Sequence, residues 1–189
     1  NRAMADAFMA AKKGVLVIYD SKDLKGWWDA LPIVWQKVLR DAAHTGSVPT
    51  NEELAKITNL DSINVADLSD VTDLDPLQRL QKLHAVVVRG TGISNLSPLQ
   101  EHKGIRTLDI SNTDIGDLSV ARRFSNLAIL RADNSKIQGL DPLHELRMLK
   151  ALYVDGTGIR DDQVREFLSK NGECLVVYKT DTLLTWWNE

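Results

Sequence analysis

The residue types that could carry nucleophilic, acid–base or metal chemistry are one cysteine, Cys174, and four histidines, His44, His84, His102 and His144. A reactive thiol needs an electropositive, partly exposed setting that lowers its pKa. Cys174 precedes Leu175-Val176-Val177-Tyr178, and a matching run near the start of the chain, Leu16-Val17-Ile18-Tyr19, is preceded by Val15. A position that takes valine is an apolar packing position, so Cys174 reads as structural. A single cysteine also excludes an internal disulfide and any CxxC metal site. The histidines show no HExxH or comparable ligand spacing. Asp67, Asp70, Asp73 and Asp75, with Asp161-Asp162, are spaced as in calcium loops but lack the central glycine and terminal glutamate. They read as solvated caps. Arg89-Gly90-Thr91-Gly92 lacks the Lys-Ser/Thr of a phosphate loop, which leaves its glycines to serve a tight corner. No nucleophile–base pairing is legible, so the expectation is a non-catalytic chain without metal or cofactor.

Composition narrows the classes further. The 189 residues are 43% hydrophobic and 26% charged, which reads as soluble and globular. With 26 acidic against 23 basic residues, the net charge of −3 leaves no excess to hold a phosphate backbone, so no nucleic-acid partner is expected. No apolar run approaches the ~20 residues of a membrane span, so no membrane insertion is expected either.

What must position any site is a repeat. Leu83, Ile105, Leu127 and Leu149 are each 22 residues apart. Val86, Leu108, Leu130 and Leu152 keep the same step, as do Val88, Ile110, Ala132 and Val154. A hydroxyl recurs at Thr91, Thr113, Ser135 and Thr157, then isoleucine at Ile93, Ile115, Ile137 and Ile159. A looser copy precedes them at Leu60, Ile63, Val65, Leu68, Val71 and Leu74. Leu-x-x-Leu-x-Val alternates faces along a short strand, burying Val86 and Val88 and exposing Val87. Asp75-Pro76, Ser97-Pro98 and Asp141-Pro142 are expected as N-cap and first helical residue of short return segments. His102 stands in a column with Leu80, Phe124 and Leu146, and is expected as a partly exposed substitute at the outer edge. One such unit cannot bury its apolar flank, whereas stacked units can.

This pattern resembles the leucine-rich repeats of the short, 22-residue, internalin-like type, over about residues 58–180. The resemblance implies an α/β fold. It is a right-handed solenoid with a parallel β-sheet on the concave face, short helical or 3₁₀ segments on the convex one, and a helical N-terminal cap. It also points to a bacterial chain, with the cell surface or secretion favoured over the cytoplasm.

The two ends echo each other 159 residues apart: Phe8 with Phe167, Ser21 with Thr180, Leu24 with Leu183, and Trp27-Trp28 with Trp186-Trp187. The expected organisation is therefore a segment 1–30 resembling the end of a preceding module, a helical cap at 31–58, repeats at 59–160, and a C-terminal cap at 161–189. In the first cap Ile33, Val34, Trp35, Val38 and Leu39 lie at helical spacing behind Pro32, and Thr50-Asn51-Glu52-Glu53 matches a capping box. The tryptophans read as plugs for the core's end rather than as docking anchors.

Outward-facing strand positions are the ones free to vary. They form three columns: Ser62, Ala85, Thr107, Ile129, Ala151; Asn64, Val87, Asp109, Arg131, Tyr153; and Ala66, Arg89, Ser111, Asp133, Asp155. Val87, Ile129, Arg131 and Tyr153 among Arg89, Asp109, Asp133 and Asp155 resemble an interface centre with a polar surround. The expectation is a protein-recognition module binding through these eight residues. The alternative is a structural or adhesive spacer in a tandem envelope protein, touching its neighbours or associating head to tail.

Overall fold

The computed structural model describes residues 21–180, and the chain divides into two compact units, Asn1–Leu60 and Asp61–Glu189. The expected strand at Leu16–Tyr19, and Phe8, Val15, Leu183, Trp186 and Trp187, lie outside the described residues.

In the first unit α1 (Ser21–Asp29), α2 (Ile33–Ala43) and α3 (Asn51–Thr58) bury Trp28, Leu31, Trp35, Val38, Leu39, Leu54 and Ile57. Gln36 on α2 reaches back and donates to the carbonyls of Trp28 (3.1 Å) and Leu31 (3.3 Å), which fixes the turn between the first two helices. The capping box forms as read: the Glu53 amide donates to Thr50 Oγ1 at 3.2 Å, and the Thr50 amide to Glu53 Oε2 at 2.7 Å. Ile33 departs from the reading. At the first turn of α2 it points away from the helix's apolar stripe and is 83% exposed.

In the second unit every repeat contributes one three-residue strand. β1 (Ser62–Asn64), β2 (Ala85–Val87), β3 (Thr107–Asp109), β4 (Ile129–Arg131), β5 (Ala151–Tyr153) and β6 (Leu175–Val177) form one parallel sheet in chain order. The register aligns Ile63, Val86, Leu108, Leu130, Leu152 and Val176 in one row across the sheet. Val86, Leu108, Leu130 and Leu152 are wholly buried. Each such side chain contributes ~1.5–3 kcal/mol of burial that an isolated unit would forgo. Between strands the chain returns through 3₁₀ turns at Asp75–Arg79, Ser97–Leu99, Ser119–Arg123 and Asp141–Leu143, and finally through α4 (Asp161–Lys170). That helix lengthens the step from Leu152 to Val176 to 24 residues, and β6 still joins β5 in register.

The corner after each strand is built by two columns. The recurrent hydroxyl donates back to the carbonyl three residues earlier: Thr91 to Val88, Thr113 to Ile110, Ser135 to Ala132 and Thr157 to Val154, each at 2.6 Å. The position before it takes a left-handed conformation at Gly90, Asn112, Asn134 and Gly156, and so do Asp67, which precedes Leu68 in the first rung, and Lys179, two residues past β6. Asp, Asn and Gly are the types that accept this geometry at least cost. Asn134 Nδ2 donates to Asn112 Oδ1 at 3.1 Å, tying adjacent corners. Gly90 takes this geometry, whereas Gly92 does not, so only one of the two glycines serves the corner.

Two expectations about the return segments are corrected. Asp75, Ser97 and Asp141 are the first residues of their turns, not the caps. At three turns the accepting side chain sits two residues earlier: Asp73 Oδ1 takes the Asp75 amide at 3.1 Å, Asn95 Oδ1 the Ser97 amide at 2.8 Å, and Asp117 Oδ1 the Ser119 amide at 2.7 Å, whereas Gly139 leaves Asp141 without one. Proline next to the cap-like residue marks the turn in both registers, and only the side-chain bond separates them. His102 is also not an exposed substitute. It is 2% exposed, and its Nε2 lies 2.9 Å from the Leu77 carbonyl, which gives one end of the ring a partner inside the core.

Candidate functional site

The sheet carries its apolar row inward, which leaves the flanking residues of each strand on the opposite face. Two of the three columns are continuous rows by register. One runs Ser62, Ala85, Thr107, Ile129, Ala151, Leu175, and the other runs Asn64, Val87, Asp109, Arg131, Tyr153, Val177. Among the eight site residues read from sequence, Ile129, Arg131 and Arg89 are exposed, and Val87, Asp109, Asp133, Tyr153 and Asp155 are half-buried.

The second row is where these residues come together. The Arg131 guanidinium lies over the Tyr153 ring, 4.1 Å from its centroid, and not in an ion pair with Asp109 or Asp133. A cation held on an aromatic face keeps its donors directed outward while the pair hides apolar area. Arg89 is drawn away from the centre: it pairs with Asp67 one rung back at 2.9 Å, and both side chains are solvent-exposed. Such a pair stabilises little.

Three carboxylates edge this centre. Asp109 accepts the Ser111 amide at 3.0 Å, and Asp133 accepts the Asp155 amide at 2.9 Å. Asp155 accepts the Thr180 amide at 2.9 Å as well as the Thr180 hydroxyl. The consequences diverge. Thr180's two donors hold the Asp155 carboxyl below its ordinary range. Burial pushes Asp133 up, and the Asp155 and Asp109 charges add to that push against the Asp155 amide and Arg131. The face therefore carries a negative edge beside an apolar and cationic centre.

Leu175 and Val177 were missed by the sequence reading of this face. β6 places Leu175, 58% exposed, beside Ala151, and Val177 beside Tyr153. The alternation of Leu175-Val176-Val177 was a usable signal, hidden by the longer step through α4. Cys174, just before it, is buried and its thiol is pushed up to about 11 by burial, a protonated and weakly nucleophilic state at neutral pH. Among the described residues no helix is long and apolar enough to cross a membrane.

No protein-family model matches the chain, and no curated protein matches it. Among solved structures it is similar to internalin C2 from Listeria monocytogenes, with 26% identity and a TM-score of 0.61 over 67% of this chain and 55% of that one. A leucine-rich-repeat protein from Leptospira interrogans aligns at 17% identity and a TM-score of 0.57, over 70% of this chain and 34% of that one. Another L. monocytogenes internalin, inlF, aligns at 20% identity and 0.53, over 75% and 53%. The last two likenesses concern the fold alone. The chain spans just over half the length of the two internalins and about a third of the Leptospira protein.

Proposed function

We propose that this chain, an internalin-like leucine-rich-repeat protein, is a recognition module that holds a protein partner on its exposed sheet face. The residues assigned to contact are Val87, Arg89, Asp109, Ile129, Arg131, Asp133, Tyr153 and Asp155, with Leu175 and Val177 extending the apolar part. The observation that carries the reading is the Arg131–Tyr153 stack beside the row that holds the exposed side chains of Ile129 and Leu175. Tyrosine and arginine are enriched at binding hot spots, where each offers large contact area together with directed hydrogen bonds. What supports the reading is that these apolar groups lie next to one another on a single face rather than scattered over the surface.

The test uses the full chain with a photo-crosslinking residue placed at position 153, compared with one at the exposed Lys103 on the return side. The reading expects a discrete crosslinked partner from position 153 and none from position 103. Tyr153→Ala should then weaken that partner by about 2 kcal/mol, roughly 30-fold. Unchanged affinity after joint replacement of Arg131 and Tyr153 removes the proposal.

A further inference from the structure

At the far side of the last repeat, the 3₁₀ turn Asp141–Leu143 and α4 bring together three groups with metal-ligand chemistry. Asp141 opens the turn and His144 follows it, so the two lie three residues apart on one side of a single turn. Glu166 is 22 residues beyond His144, one repeat step, which sets it alongside on the next rung. One ligand atom from each of Asp141, His144 and Glu166 falls within 4.8 Å of the others.

Two of these groups, His144 and Glu166, already meet on a positive charge, and Asp141 stands within reach of both. Lys170 Nζ lies 3.0 Å from His144 Nδ1 and 3.3 Å from Glu166 Oε1. An ammonium has only donors, so Nδ1 must be the accepting, unprotonated nitrogen, and the ring proton is on Nε2. Nε2 faces Asp141 Oδ1 at 3.9 Å. The ring itself is fixed: the His144 side chain is only 9% exposed and lies against Phe167, ring centroids 6.2 Å apart. A ring fixed in this way offers its lone pair to a metal ion with little further ordering.

We infer that Asp141, His144 and Glu166 form a site for a divalent transition metal of the zinc class, in which Lys170 takes the cation's position and leaves when the metal enters. The donor set of one imidazole and two carboxylates suits zinc rather than calcium, which prefers six or more oxygens. In a tetrahedral site with bonds of about 2.1 Å, ligand atoms stand ~3.4 Å apart, so the cluster must contract from 4.8 Å by up to ~1.4 Å. The carboxylates can make that movement, since the Asp141 and Glu166 side chains are 81% and 57% exposed. Lys170, 42% exposed at the end of α4, has open solvent to swing into. Metal binding here would pin α4 to the turn of the preceding repeat.

Titration calorimetry of the full chain with zinc chloride tests this. One ion per chain should bind, and Glu166→Gln and Asp141→Asn should each reduce the affinity at least tenfold. Both carboxylates are exposed, so these variants fold. His144→Gln should abolish binding. Lys170→Gln should tighten it by about fivefold, because a like charge a few ångströms from the ion is removed. In the parent, zinc should also shift the imidazole resonances of His144 and not those of His44 or His84. Absence of binding below about 1 mM zinc overturns the inference. Equal affinity in the carboxylate variants, or unchanged or weaker binding in Lys170→Gln, does the same.

Discussion

Replacing His102 by leucine puts the energetics of a single rung on trial. The ring is 2% exposed, and while Nε2 meets the Leu77 carbonyl, Nδ1 finds no hydrogen-bond partner among the described residues. A buried nitrogen without a partner costs about 1–3 kcal/mol, and the Nε2 bond returns about 0.5–1.5 kcal/mol. Removing the ring does not strand the carbonyl, because the Leu80 amide already donates to Leu77 O at 2.9 Å. The same column elsewhere holds Leu80, Phe124 and Leu146, all buried, so the site is shaped for an apolar side chain of this size. His102→Leu should therefore stabilise the chain by about 1 kcal/mol, and by up to ~2 kcal/mol if the new side chain packs like its neighbours. For a chain of this length that is a rise of about 2–4 °C per kcal/mol. Thermal and urea unfolding followed by circular dichroism measure it, with the folded spectrum as control. A variant less stable than the parent by 1 kcal/mol or more refutes the reasoning, since it would mean that the imidazole is fully satisfied where it sits.

Asp133→Asn should leave the chain at least as stable as the parent at pH 7. The Asp133 carboxyl titrates above its ordinary value in the folded chain, so its contribution to stability is fully present below about pH 3.9 and is lost as pH rises through the folded value. The variant's advantage should appear on going from pH 3 to pH 7; a parent that gains on the variant over that interval contradicts the assignment. Gly156→Ala should cost about 1–2 kcal/mol, because the residue sits at φ 64° and a Cβ there would run into Asn134 Oδ1, a result urea midpoints will decide. Gly46→Ala, where a Cβ meets nothing within 4 Å, serves as its neutral reference.

The repeat was legible because burial acts on it once per rung. A side chain at Leu108 is held by Val86 and Leu130 on either side, so each must be apolar, and the constraint is copied every 22 residues. The same holds for the hydroxyl column, whose bond to the carbonyl three residues back is local and therefore sequence-encoded. The left-handed column was harder to see, since Asp67, Gly90, Asn112 and Lys179 share a backbone conformation and no side-chain property. His102 was misplaced because periodicity reports the column and not the depth. A polar residue in an apolar column can be at the surface or can carry its own hydrogen bond inward, and only the Leu77 carbonyl distinguishes the two.

The sites are a different matter, because a solenoid makes neighbours of residues one turn apart. Arg131 and Tyr153, or His144 and Glu166, are each 22 residues apart. Nothing in a local motif could join them, since motif spacing describes a single strand or helix face. The outward columns could be written down from sequence once the period was known, and the stack in β4–β5 follows from that register. Which cation meets which group could not be foreseen: Arg131 chose Tyr153 over two nearby carboxylates, and Arg89 chose Asp67 behind it. On an exposed face these alternatives differ by no more than the ~1 kcal/mol of a surface ion pair, so rotamer and rung spacing decide between them. With so small a margin these side chains can turn without disturbing the apolar row beneath, and any contact that holds them in one rotamer costs about 0.5–1.5 kcal/mol per side chain.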